Sequence, residues 1–316
     1  MIHRLLTIHC LSPLHCGTGQ GIAGIDLPVQ RERHTGWPVI PASTIKGVLR
    51  DAARCTTKNK AQAEQHEAKQ SQPQHPDADP DVIALFGPER GAFESGELGL
   101  GALSFGDGVL LAFPVRSLVG VFAWLTCPMA LERLARVAEL AGFAKQRFVC
   151  PAQLSAQEML CSQSLGVDNE HKQVLIEDQS LSRRDLPQGL AEALKPLFPT
   201  SAQGLVNEHL ALVHDDTFTW FARHATQVEA RIALDPATKT VAQGALFYQE
   251  TVPPESLFVS LISAEDARHP RAKDSKYAKA EQALLRLGEL CQHPRQLGGD
   301  ATIGKGLCAL RLVGGQ

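Results

Sequence analysis

The sequence predicts an α+β fold with antiparallel strand pairing. Strand-like and helix-like stretches interleave without a regular βαβ repeat. Two alternating runs at 227–234 and 241–249, joined by the turn Asp235-Pro236-Ala237-Thr238-Lys239, read as a hairpin. No self-similarity recurs at the period of a solenoid or propeller. The 316 residues are expected to form one domain over 1–316, with a polar insertion at about 58–81 and a further inserted region at about 143–205.

Residues 3–11 alternate, with Leu6, Ile8 and Cys10 on one face, and predict a first strand. A glycine-rich loop at 15–24 follows, then Asp26 in a turn between Gly24 and Pro28. A helix is predicted from Ser43, an N-cap behind Pro41, to about Arg54. Ile45, Val48, Leu49 and Ala52 form its inward stripe, while Lys46, Arg50 and Arg54 make a basic row on another face. Residues 58–81 are polar, Gln-rich and cut by three prolines, with no apolar periodicity, and predict an exposed excursion. Strands are predicted at 102–106, 109–114 and 119–125. A helix begins at Pro128, turns Leu131, Leu134 and Ala138 inward and stops at Gly142. The stretch 143–205 is too weakly periodic to assign. After the hairpin come a strand at 256–262, a helix at 276–291 and a final strand at 306–313.

Apolar residues at 44% and charged residues at 21% are the balance of a soluble globular chain. No apolar run reaches the ~20 residues that span a bilayer. The opening MIHRLLTIHCLSPLHC lacks the long apolar core and cleavage site of a secretory signal, so the expected compartment is the cytoplasm and no membrane partner is expected. Eight cysteines, at 10, 16, 55, 127, 150, 161, 291 and 308, contain no Cys-x-x-Cys pair. That spacing argues for free thiols and against a disulfide framework or a zinc site.

Net charge is −3, but it is unevenly spread: residues 31–60 hold seven Lys/Arg against two Asp/Glu, and residues 64–99 hold two against eight. Near-neutrality overall therefore leaves room for a basic groove. The uniformly positive row Lys46, Arg50, Arg54 is the best candidate for phosphate contact, because a solvated helix face ordinarily mixes signs. Arg31, Arg33 and His34 extend that patch if their loop folds toward it.

The stretch Gly298-Gly299-Asp300-Ala301-Thr302-Ile303-Gly304-Lys305-Gly306 nearly matches a nucleotide-hydrolysing phosphate loop, but Gly306 stands where the magnesium-binding hydroxyl belongs and too little chain follows for a helix. Two readings remain: a loop whose backbone N–H groups approach RNA phosphate, through Gly298, Gly299, Gly304, Lys305 and Gly306, or a tight connection into the last strand. Asp26 is either a residue that positions metal or takes a proton from a ribose 2′-hydroxyl, or a turn acid bonding its own backbone. His15 is either a polariser of the leaving oxygen or a structural loop histidine. Glu250 is either a second acid or an exposed strand end.

The segments PLHCGTGQ at 13–20, IDLPVQRERHTGWPVIPASTIKGVLRDAA at 25–53, LFGPE at 85–89, GALSFGDGVLLAFPVRSLVGVFAWLTCP at 101–128, TKTVAQGALFYQE at 238–250 and LGGDATIGKGL at 297–307 resemble, in order, the backbone subunits of type III-B (Cmr) CRISPR effector complexes, members of the RAMP superfamily. The resemblance implies a ferredoxin-like (RRM-like) palm with inserted elements, one a thumb that wedges between bases. It implies copies stacked in a filament along a CRISPR guide RNA, beside other Cmr subunits. Each copy would cut paired target RNA at a regular interval with a divalent metal, Mg2+ or Mn2+. The family's catalytic aspartate falls on Asp26, which would also be the metal's ligand. His15 and Glu250 fall near the cleavage site, and Lys46 and the 298–306 loop face the guide. Two alternatives stay open: a scaffold that holds guide RNA without cutting, and a guide-processing ribonuclease using His15 without metal.

Overall fold

A computed structural model describes residues 1–19, 21, 24–65, 79–88, 99–144, 148, 153–167, 170, 172–241 and 244–314. The first strand, β1 (Ile2–Cys10), is buried from Leu5 onward on both faces. The alternation expected there is absent because both sides are covered, and His9 packs edge-on to Trp124 and Phe198 on one of them. A short β2 (Val39–Ile40) leads into α1 (Ala42–Gln65). Ile45, Leu49 and Ala53 are its buried face.

The helix outruns its predicted end near Arg54. Lys, Ala, Gln and Glu are good helix formers, and a helix polar all round shows no apolar period to read. The remainder of the predicted excursion, 66–78, lies outside the described residues. The next described element is α2 (Pro80–Phe86), with Pro80 in its first turn and the Asp79 side chain accepting from the Asp81 amide at 2.8 Å.

Next come β3 (Leu103–Phe105), β4 (Gly108–Arg116), β5 (Phe122–Thr126) and α3 (Pro128–Leu140), close to their predicted bounds, with Leu131, Leu134 and Ala138 buried. The unassigned stretch 143–205 holds β6 (Glu158–Cys161), β7 (Gln173–Ile176), β8 (Gln179–Arg184) and α4 (Leu190–Leu194), and α5 (Val206–His209), β9 (Leu210–Val213) and α6 (Asp215–His224) follow it. The rest is β10 (Gln227–Arg231), β11 (Phe247–Thr251), β12 (Leu257–Ala264), α7 (Ala280–Leu290), β13 (Arg295–Gln296) and β14 (Leu307–Val313).

Among the described residues, twelve strands form one sheet along β13-β14-β1-β12-β4-β5-β9-β6-β8-β7, with β2 on β4 and β3 on β12. Pairing is antiparallel except for β5 with β9 and β6 with β8. The middle region thus adds its strands to the β5 side of the same sheet. Taken as β1–α1–β4–β12–α7–β14, the other part has the spatial order β14-β1-β12-β4, the 4-1-3-2 order of a β-α-β-β-α-β unit. Helices α1 and α7 contact each other and the sheet near β3 and β12. Strands β10 and β11 form a separate two-stranded ribbon. No described helix is long and apolar enough to cross a membrane.

Candidate nucleic-acid interface

The core strands deliver three loops to one place, and β11 is the spine that gathers them. After β1 the chain turns at Pro13 and lies against β11's end, where Leu14 and Val252 exchange backbone hydrogen bonds of 2.9 and 2.8 Å. Further on, Leu27 runs parallel beside Gln249: its amide donates to the Tyr248 carbonyl at 3.0 Å, and the Glu250 amide donates back to Leu27 at 3.0 Å. The sequence folds this way locally because Pro28 and the turn glycines interrupt any longer pairing, leaving short bridged pieces.

Asp26 is exposed, and its Oδ2 accepts the Tyr248 N–H at 2.7 Å. That hydrogen bond goes to β11, across the chain. Among the described residues no cation pairs with it.

His15 is 8% exposed, and its Nδ1 lies 2.7 Å from the Glu250 carbonyl oxygen. A carbonyl only accepts, so Nδ1 carries a proton and Nε2 is the ring nitrogen left for other contacts. Nε2 faces Gly17, where a Cβ would stand 2.6 Å from it.

The Glu250 carboxylate points away from His15. Buried at 3% exposure, it accepts from the Val29 amide at 3.0 Å, the Thr226 hydroxyl at 2.7 Å and the Arg31 guanidinium. Arg31 also donates to the carbonyls of Gly36 and Ala222, at 2.7 and 2.8 Å. The expectation that Arg31 extends the basic row of α1 is thus corrected: its loop folds toward α6, and the charge neutralises Glu250. Arg33 and His34 are exposed on that loop.

The 298–306 loop packs on the His15 loop. The Gly299 amide donates to the His15 carbonyl at 2.9 Å, and the Gly306 amide to Pro13 at 2.8 Å. Gly298 has φ +73°, and a Cβ there would meet the His15 oxygen at 2.2 Å, so only glycine fits. The loop is therefore a tight connection, and Gly299 nevertheless borders an open groove with His15, Gly17, Ser43 and Gly47, about 790 Å3 in volume. Lys305 is 8% exposed and its ammonium pairs with Glu229 at 2.5 Å, so its charge is used within the chain. Gly304 faces open space.

Of the basic row on α1, Lys46, Arg50 and Arg54 are all half-buried. Arg50 donates to the Gly87 carbonyl at 2.5 Å, joining α1 to the end of α2. Burial lowers the Lys46 pKa from its ordinary value, and the Arg50 charge acts in the same direction. A phosphate beside Lys46 would oppose both effects by favouring the charged ammonium. Lys46 directly precedes Gly47 of the groove wall.

Sequence reasoning missed Tyr248 and Gln249, whose partners lie more than two hundred and about fifty residues away in the chain. The alternation of the β11 run was the available signal. It could mark faces, but not what each face meets. Among the described residues, no three His, Cys, Asp or Glu side chains form a group able to hold a metal ion.

The RAMP superfamily profile matches residues 7–309. The chain is 33% identical over 311 residues to the CRISPR system Cmr endoribonuclease Cmr4 of Pyrococcus furiosus, covering 98% of this chain and 95% of that protein. It is similar to the crystal structure of oligomeric Cmr4 from Pyrococcus furiosus, with TM-score 0.70 and 27% identity over 100% and 99% of the two chains. A chain of the type III-B Cmr-beta complex bound to cognate target RNA shares its fold, with TM-score 0.70 at 20% identity, over 99% and 97%. Full-length matches of sequence and of fold agree: the chain belongs to the RAMP superfamily and, within it, to the Cmr4 family.

Proposed function

We propose that this chain is the guide-RNA-binding backbone subunit of a type III-B effector complex and cuts complementary target RNA endonucleolytically. The observation that carries the reading is the convergence on β11. Asp26 at Tyr248 and His15 at Glu250 are held two residues apart on one strand, and His15 borders an open groove with the base of α1. The groove, with Lys46 next to its Gly47 wall, would track the guide's phosphates. Asp26 would position a metal or take the proton of the attacking 2′-hydroxyl as its oxygen bonds to phosphorus, and the doubly protonated ring of His15 would give the Nε2 proton to the departing 5′-oxygen. The product would be a 2′,3′-cyclic phosphate end.

A metal ion here would rest on Asp26 and the RNA's own phosphate oxygens, a sparse carboxylate set of the kind magnesium accepts. Bound there, it would offset charge at the phosphate. Copies of this chain would stack along one guide, beside other Cmr subunits, each copy needing few phosphate contacts because stacking multiplies them. This assembly and its RNA partners are supported by the relatives described as an oligomeric Cmr4 and as a complex bound to target RNA.

The ferredoxin-like reading of the palm rests on the 4-1-3-2 strand order. The β10–β11 ribbon is the proposed thumb. It stands outside the main sheet, and Val228, Ile232, Leu234, Val241, Leu246 and Tyr248 are exposed, an apolar edge suited to wedging between bases.

The test uses complex loaded with a known guide and a labelled complementary RNA, comparing wild type and Asp26→Asn, each with magnesium and with EDTA. A metal-dependent ladder of evenly spaced products, reduced about 10²–10⁴-fold in the variant, is expected. Cleavage by Asp26→Asn at the wild-type rate would refute the assignment. A scaffold-only reading draws on Glu250, whose carboxylate is taken up by Arg31, Thr226 and Val29, leaving Asp26 without a second acid. Tight guide binding with no ladder in any lane would favour it. Cutting of hairpin repeat RNA in EDTA would favour guide processing.

A further inference from the structure

Between the two strand residues that hold Asp26 and His15 stands a third, Gln249, that no step above uses. It is 2% exposed and sits directly opposite Glu229 on β10. Strand side chains alternate, so Glu229, Arg231 and Gln249 share one face of the ribbon, and the contacts place that face on the glycine-rich loop. Gln249 Nε2 donates to Asp300 Oδ2 at 2.5 Å, and its Oε1 accepts from Arg231 Nη1 at 2.6 Å. Arg231 itself reaches Asp300 at 3.3 Å, and Lys305 pairs with Glu229 at 2.5 Å. The amide has one admissible orientation: its oxygen must meet the guanidinium and its nitrogen the carboxylate. A buried amide is costly unless both ends are paired, so the contact fixes the strand's distance from Asp300. Asp300 lies in the left-handed region (φ +63°), and its carbonyl accepts from Ile303 at 3.1 Å and Lys305 at 3.3 Å. The anchor is thus itself fixed within the loop.

We infer that Gln249 is a positioning residue for Asp26. It bolts β11 to Asp300, and so sets where the neighbouring Tyr248 N–H points and where the Asp26 carboxylate is held. The geometry stands by itself; its consequence for rate rests on the cleavage reading above. Misplacing a reacting group by about 1 Å can cost on the order of a hundredfold, so the effect is read in the chemical step.

Gln249→Glu sets two carboxylates against each other, and Asp300→Asn in the same chain restores a donor–acceptor pair with the roles exchanged. The full chain is examined by amide hydrogen exchange at Tyr248, and assembled complex by single-turnover cleavage and guide affinity. Gln249→Glu is expected to speed Tyr248 exchange about tenfold and slow cleavage of bound target about tenfold or more, a larger change than any in guide affinity. The double variant is expected to recover both. Asp300→Ala, at a partly exposed side chain, gives the same direction should Gln249→Glu not fold. Unaltered Tyr248 exchange in the folded single variants, or no recovery in the double variant, would overturn the inference. Wild-type cleavage by Asp26→Asn would overturn the cleavage reading alone, and the exchange measurement would still decide the positioning role.

Discussion

His15 and Glu250 meet through a backbone carbonyl and not through their charges. Nδ1 of His15 donates to the Glu250 oxygen at 2.7 Å, while the Glu250 carboxylate faces Arg31, Thr226 and the Val29 amide. The strand's alternation explains this: a residue's carbonyl lies in the sheet plane and its side chain leaves it. One residue thus serves two loops at once.

Glu250 therefore acts on stability first. Glu250→Ala leaves Arg31 partly buried without its anion, and breaking such a pair costs about 3 kcal/mol. A lowered urea midpoint with an unchanged m-value is the expected result. Glu250→Gln keeps the contacts to Val29 and Thr226 and should lose less. Equal midpoints for all three chains would contradict the burial of this pair.

Gly298→Ala tests the seating of the glycine-rich loop. Its Cβ would lie 2.2 Å from the His15 oxygen at a φ of +73°, so the two loops must part. A loss of about 1–3 kcal/mol is expected, with faster amide exchange at Gly299, whose N–H holds the same oxygen. Gly304→Ala has open space and pays only for its left-handed backbone.

Lys46→Ala should weaken guide RNA binding across all guide sequences and reduce the salt slope by about one per subunit. Its ammonium pKa is lowered by burial and then by Arg50, and phosphate contact restores it. RNA binding should therefore take up protons as pH rises toward the lysine range, and the variant should not. Calorimetry in buffers of different ionisation enthalpy measures that uptake directly.

Glu32 gives the chain an acid-sensitive joint. Burial by itself would raise its pKa, but hydrogen bonds from Arg133 and Thr35 outweigh it and hold the carboxyl below its ordinary value. A depressed carboxylate contributes stability above its unfolded pKa and loses it as pH falls through the folded one. Arg133 also stacks over Trp37 at 5.7 Å. Unfolding free energy should fall on acidification by on the order of 1 kcal/mol or less from this partly buried pair, and Glu32→Gln should flatten that part of the pH curve. An unchanged curve would remove Glu32 from the account.

The sequence by itself determined the strands and helices at both ends of the chain, because each repeats its apolar residues at its own period. It also marked the loops at 13–28 and 298–306, because glycine density reports close backbone approach before any partner is known. Tertiary structure decided what those loops meet. Asp26 and His15 gather on β11 through bonds spanning more than two hundred residues, and no local period encodes such a distance. It decided also that Arg31 and Lys305, which read as free charges, are neutralised by Glu250 and Glu229. The middle strands β6 to β9 were illegible for a related reason. They are short, and β6 and β9 lie almost wholly buried inside the sheet, where both faces are apolar and alternation disappears.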